Sequence, residues 1–285
     1  MLRVRTLVVG LAACANGLGC SLIFSADGFS SQPHDGSGES GADTGAQQEG
    51  GGGDASADGA IIEPSGPFCA ALAKSPAFCV DFDSSSKVDD GFTFLGQSGQ
   101  PGTVAALDHG VFVSAPNSAH LGVPAGVPGT SSGLVNRLAW ETSDQQQGKI
   151  SSHVEAKVWA NALDPFTKAQ VFAATFRQGA TTYAISLAVN GYQAEVLEAS
   201  SSVTTTPLTK SFPARKWVRV ALDVTFTPAP AKLVLSFDGE TILDKPLAAG
   251  FVSGFGQVSL GPVYYTSATV AATDLYFDNV LVNLE

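Results

Sequence analysis

The stretch "WVRVALDVTFTPAPAKLVLSFDGETIL" (residues 217–243) decides the fold. In its first ten residues Val218, Val220, Leu222, Val224 and Phe226 fall on one side, with Trp217, Arg219, Asp223 and Thr225 on the other. This period of two marks a strand with one face buried, because successive side chains of a strand point to opposite faces of the sheet. "KLVLSF" repeats the scheme with Leu233, Leu235 and Phe237, and Asp238-Gly239 then supplies a tight hairpin turn.

The same alternation extends over most of the chain from Phe92. "HVEAKVWA" puts Val154, Ala156 and Val158 on one face and His153, Glu155, Lys157 and Trp159 on the other. Further strands are expected at Val104–Leu107, Gly110–Ser114, Ala119–Val123, Leu134–Glu141, Gln170–Arg177, Thr182–Asn190, Ala194–Glu198, Gln257–Tyr264 and Leu275–Asn283. About a dozen strands separated by turn residues indicate an all-β domain of two packed antiparallel sheets, a sandwich or jelly roll. A helical turn or two near Cys69–Lys74 is the one helical signal.

Composition divides the chain before Pro67. From Ser21 to Ala73 there is no Lys or Arg, while Asp27, Asp35, Glu39, Asp43, Glu49, Asp54, Asp58 and Glu63 carry eight negative charges. Gly36–Gly59 is almost wholly Gly, Ser, Ala, Asp, Glu and Gln, too poor in apolar area to offset the entropy of ordering. Residues 20–66 are therefore expected to be a disordered acidic linker and residues 67–285 a folded domain. The domain carries thirteen basic and eighteen acidic residues and no basic stripe, which argues against nucleic acid as a partner.

At the N-terminus, Met1–Arg5 supplies a short positive segment and Thr6–Ala13 an apolar one, the arrangement of an export signal. The apolar run falls short of the roughly 20 residues that cross a bilayer. "LAAC" (Leu11–Cys14) and "GLGC" (Gly17–Cys20) both resemble the bacterial lipoprotein processing site, in which the cysteine thiol takes the lipid. Cys14 has the better local match, whereas Cys20 leaves a signal of ordinary length, residues 1–19, and is preferred. A signal anchor prolonged by Leu22–Phe24 and a plain secreted protein are the competing readings. Lipidation implies an exported, membrane-anchored protein of the cell envelope, expected on the outer membrane of a Gram-negative bacterium, facing the periplasm or the exterior. Of the four cysteines, Cys69 and Cys79 bracket "CAALAKSPAFC" and are expected to form a disulfide.

Five segments appear in an order that resembles a known family: "FCVDFDS" (78–84), "SAPNSAHLGV" (114–123), "ISSHVEAKVWA" (150–160), "WVRVALDV" with "AKLVLSFDG", and "YFDNVLV" (276–282). Together they are similar to the concanavalin A-like lectin/glucanase sandwich, in its laminin-G-like and laminarinase-like versions. The resemblance implies a concave sheet that often holds a carbohydrate. It also implies a structural calcium near an acidic residue of the last strand, a position that Asp278 matches, with Asp81 and Asp83 as further candidates. Hard oxygen ligands of this kind suit Ca²⁺.

Glucanases of this type carry E-x-D-x-x-E on a strand of the concave face, since retaining hydrolysis needs two carboxylates about 5–5.5 Å apart. The corresponding "TTYAISLAVNGY" has no carboxylate, and Glu195 and Glu198 beyond it would point to opposite faces. The four histidines stand in no metal-binding spacing. These departures argue against an enzyme, with a divergent polysaccharide lyase or hydrolase left as the remoter alternative. The expected role is non-catalytic binding of a polysaccharide or envelope glycan, the alternative being a structural or adhesive module with a protein partner. Trp159, with Glu155, Lys157 and His153 on its strand face, is the candidate ligand site, joined by Arg177 and Tyr183 from the next strands. Trp140 is expected in the core, and Trp217 against a loop.

Overall fold

All but one of the alternating segments become strands, and the apolar side of nearly every one faces a single core. The computed structural model describes residues 67–285 apart from 99, 129–133, 147–150, 179–180, 192, 227–229, 248–253 and 267. The expectations for residues 1–66, namely the signal, Cys14, Cys20 and the linker, lie outside the described residues.

In chain order the strands are β1 (Phe78–Val80), β2 (Phe94–Gln97), β3 (Val104–Asp108), β4 (Ser118–Val123), β5 (Val127–Pro128), β6 (Leu134–Gln146), β7 (Ser151–Ala162), β8 (Ala169–Gln178) and β9 (Thr181–Val189). They continue as β10 (Ala194–Ala199), β11 (Val203–Pro207), β12 (Trp217–Thr225), β13 (Lys232–Phe237), β14 (Glu240–Pro246), β15 (Phe255–Tyr264), β16 (Thr269–Val270) and β17 (Thr273–Leu284). The first sheet runs β14-β13-β12-β7-β17-β4-β3, with β1 also paired to β17. The second runs β11-β10-β9-β8-β15-β6-β2, and β5 and β16 form a small pair of their own. All pairings are antiparallel. The architecture is the two-sheet jelly-roll sandwich that the alternation implies.

From the first sheet, Val154, Val158, Val218, Val220, Leu235 and Phe277 project inward with almost no exposure. From the second, Phe172, Phe176, Tyr183, Ile185, Val258 and Leu260 meet them in the same core. Apolar burial on this scale supplies the main driving force for folding. Among the polar side chains that join the sheets through the interior are Asn136 and Glu198. Asn136, fully buried on β6, donates its amide to the carbonyls of Val104 (2.6 Å) and Gly122 (3.0 Å) across the core. Glu198 on β10 points inward and accepts from Tyr183 Oη and from Lys245 Nζ on β14.

The hairpin at 238–239 forms with both residues at positive φ, 52° and 84°. Cys69 and Cys79 form the expected disulfide, and the helical signal there is one 3-10 turn, Cys69–Ala71. One expectation fails: Gly110–Ser114 is an irregular segment, because the amides of Val113 and Ser114 turn to the carboxylate of Asp278 and leave no ladder to extend. β2 and β11 give no clear sequence signal. The first is four residues long, and the second, Val203–Pro207, is an edge strand with little burial to impose a pattern.

Candidate functional site

The face of β7 that carries His153, Glu155, Lys157 and Trp159 points away from the core, as the alternation requires. Cross-strand register determines what lies beside it. β12 places Trp217 opposite Trp159, Arg219 opposite Lys157 and Asp223 opposite His153. On the other flank β17 places Tyr276 opposite Trp159, and β4 places His120 opposite Tyr276. A row Trp217–Trp159–Tyr276–His120 therefore crosses four strands on the outward face, roughly 14 Å long at the usual spacing between strands.

The rings of this row touch in two pairs. Those of Trp159 and Trp217 lie 6.0 Å apart at 63°, edge to face, and those of His120 and Tyr276 stack at 4.4 Å and 8°. Trp217 thus packs against Trp159 in place of a loop. His120 Nε2 is hydrogen-bonded to the carboxylate of Asp274, which also accepts from Asn161 Nδ2 at 2.9 Å. The His120 bond holds the Asp274 carboxyl below its ordinary range, assisted by Asn161 and opposed by burial. Both indoles are half-buried, so one side of each is fixed by packing and another meets solvent.

Two of the expected partners do not join this face. Arg177 and Tyr183 follow β7 closely in sequence, but β8 and β9 belong to the second sheet. Tyr183 points into the core with 1% exposure, and Arg177 pairs with Glu141 on the far side of that sheet. Trp140 does take the expected core position, stacked on Phe78 at 4.9 Å.

Further along the face, His153 Nδ1 is bonded to Asp223 at 2.7 Å and its Nε2 to Glu155 at 3.3 Å. These bonds, Asp223 first and then Glu155, raise the imidazole to about 9 against the opposing effect of burial. A cavity of about 310 Å³ opens beside it, lined by Ser151, Ser152, Asp223, Thr225, Asn283 and Glu285.

The second sheet turns a contrasting face outward. Ala173, Thr175, Ala184, Ser186, Gln257 and Ser259 point away from the core yet are at most 7% exposed, so they lie below the surface. Cross-strand register aligns Ala139, Ser259, Ala173 and Ser186 in one row and Glu141, Gln257, Thr175 and Ala184 in the next. The floor is thus made of small side chains with Gln257 near its centre. His109, His120 and His153 all lie off the strands of this sheet.

The acidic residues singled out for a cation are Asp278, Asp81 and Asp83. Asp278 is fully buried and accepts from the amides of Val113 (2.8 Å), Ser114 (3.1 Å) and Asn279 (2.8 Å). Burial raises its carboxyl to about 7 against those bonds. Asp83 is also raised, by burial and then by Asp81, with Ser114 acting in the opposite direction. Asp81 accepts from the Cys69 amide at 3.0 Å. Asp83 Oδ1 and Asn117 Oδ1 are buried with no hydrogen-bond partner, and Asn117 is linked to this segment through its bond to the Phe82 carbonyl. Among the described residues no group of three or more His, Cys, Asp and Glu side chains is arranged to hold a metal. The fit to a hard cation accordingly rests on two carboxylates and an amide oxygen, with two of the oxygens lacking a donor. Asn117 stands in the quoted "SAPNSAH" but has no acidic side chain to mark it as a ligand.

No protein-family model matches the chain, and no curated protein matches it in sequence. Solved structures do resemble it. An endo-β-1,4-glucuronan lyase from the fungus Trichoderma reesei aligns at 12% identity with a TM-score of 0.59, over 74% of this chain and 96% of that one. The cellulose induced protein Cip1 aligns at 13% identity with a TM-score of 0.55, over 72% and 96%. At such identities the likeness is one of fold, the jelly-roll β-sandwich.

The His153 cluster makes a pH test. Its pKa is raised above the unfolded value of about 6.5, so its contribution to stability is complete below that pH and is lost as pH rises through about 9. Thermal unfolding followed from about pH 6 to about pH 10 should show a steeper loss for the wild type than for His153→Gln. Parallel curves would contradict the assignment.

Proposed function

We propose that this protein is a non-catalytic glycan-binding module of the bacterial cell envelope, which meets its ligand on the outward face of the first sheet. The observation that carries the reading is the row Trp217–Trp159–Tyr276–His120. An aromatic ring offers an apolar face to the C–H face of a pyranose, and the half-exposed indoles of Trp159 and Trp217 offer such a platform, flanked by the buried Tyr276 and the His120 stacked on it. Asn161 and Asp274 at one end and Lys157, Glu155 and Arg219 alongside supply hydrogen-bonding groups for hydroxyls. The fold likeness to a polysaccharide lyase and to a cellulose induced protein is compatible with a carbohydrate ligand.

The N-terminal sequence supports the rest of the proposal: export, lipid on Cys20 and a spacer to about residue 66 that holds the domain off the membrane. A free-coil spacer of this length keeps it roughly 35–40 Å away on average. A second reading, a structural or adhesive module with a protein partner, draws on the floor of the second sheet, whose Ala and Ser side chains give no ring for a sugar to stack on. The reading also includes a structural Ca²⁺ held by Asp83 and Asn117, whose oxygens lack donors, beside Asp278, with Asp81 and Asp278 each already accepting backbone amides.

The full-length domain from Pro67, with its disulfide intact, is to be titrated against a panel of soluble polysaccharides. Saturable binding is expected, weakened about thirtyfold or more by Trp159→Ala, the ~2 kcal/mol of an aromatic hot spot. Binding that Trp159→Ala leaves intact would remove the site, and binding to nothing would favour the protein partner. Millimolar Ca²⁺ should raise the thermal midpoint of the wild type and leave that of Asp83→Asn unmoved. An equal response in both would contradict the cation site.

A further inference from the structure

The row next to the aromatic track determines what kind of glycan the face accepts. Two residues along the strands from Trp217 and Trp159, about 7 Å away, stand Arg219 and Lys157, paired across β12 and β7. That distance matches the reach of an acidic substituent on a sugar ring seated over the indoles. Arg219 is not neutralised by a hydrogen-bonded partner. It forms a loose ion pair with Glu155, whose Oε2 is 4.0 Å from Nε, longer than a hydrogen bond, and Nε has no hydrogen-bond partner. Glu155 is meanwhile engaged by His153 Nε2 at 3.3 Å. The guanidinium side chain is 28% exposed, so its outer nitrogens are within reach of a ligand. A planar guanidinium meets a carboxylate with two parallel N–H···O bonds, which are roughly twice as strong as neutral ones.

Resting on the glycan-binding reading above, we infer that the ligand is an acidic polysaccharide, its rings lying on the Trp217–Trp159 track and its acid groups facing Arg219 with Lys157 beside it. The domain as a whole is acidic, with thirteen basic and eighteen acidic residues, so long-range attraction does not recruit a polyanion. Recognition must then come from these adjacent cations at short range.

The test uses oligomers of about six units of galacturonate, glucuronate and mannuronate, each beside its fully methyl-esterified counterpart. These pairs share a backbone and differ in charge. At least one acid form should bind about tenfold or more tightly than its ester, and Arg219→Gln should abolish that preference, so that the variant binds acid and ester equally. Raising NaCl from about 20 to about 200 mM should narrow the gap. Trp159→Ala should weaken acid and ester alike. Esters that bind as well as the acids, or a preference that survives Arg219→Gln in a variant with wild-type unfolding behaviour, would overturn the inference and leave glycan binding standing. Binding of neither form, and of no neutral polysaccharide, would bring down both.

Discussion

The arrangement of both faces depends on one buried carboxylate, that of Asp164, at the point where the chain leaves the first sheet for the second. Asp164 is 3% exposed and accepts from the amides of Phe166 and Thr167 at 2.8 Å and of Ala271 at 2.6 Å. Its own amide donates to Thr273 Oγ1, and its carbonyl accepts from Gly191. One residue thereby ties the β7–β8 crossing to the start of β17 and to the end of β9. A carboxylate with several amide donors tolerates burial, whereas one stripped of them would not. The crossing sends β8 across the core, and β12 and β17 take the places beside β7.

That crossing explains what the sequence could and could not disclose. Alternation assigns faces within a strand, so the inward set Val154, Ala156 and Val158 and the outward set ending at Trp159 were legible from spacing alone. The sheet neighbours of a strand are set by long-range topology, which no local pattern encodes. Arg177 and Tyr183 were therefore expected beside Trp159 because they come next along the chain, and they lie in the other sheet. Trp217 and Tyr276 are distant from Trp159 in sequence and stand directly opposite it. Parity places Trp217 on the outward face, but only register reveals that it shares a row with Trp159.

The acidic corner shows the same limit in another form. Asp278 is named from the family resemblance, which puts an acidic residue of the last strand beside a calcium, with Asp81 and Asp83 as further candidates. The geometry separates their roles: Asp278 receives backbone amides, Asp81 receives the Cys69 amide, and Asp83 and Asn117 retain oxygens without donors. The carboxylate–amide bonds of Asp278 also account for the irregular 110–114 segment, which alternation alone reads as a strand.

The central claim, that ligand is held on the first sheet, is most directly tested through the three tryptophans. Each contributes one indole N–H signal to the NMR spectrum of the isotope-labelled domain, and Trp140, packed on Phe78, serves as an internal reference. On titration with a binding oligosaccharide, the Trp159 and Trp217 signals should move together and saturate while that of Trp140 stays in place. Stationary Trp159 and Trp217 signals, with shifts instead at Thr175, Ser186 and Gln257, would place the ligand on the second sheet and contradict the account.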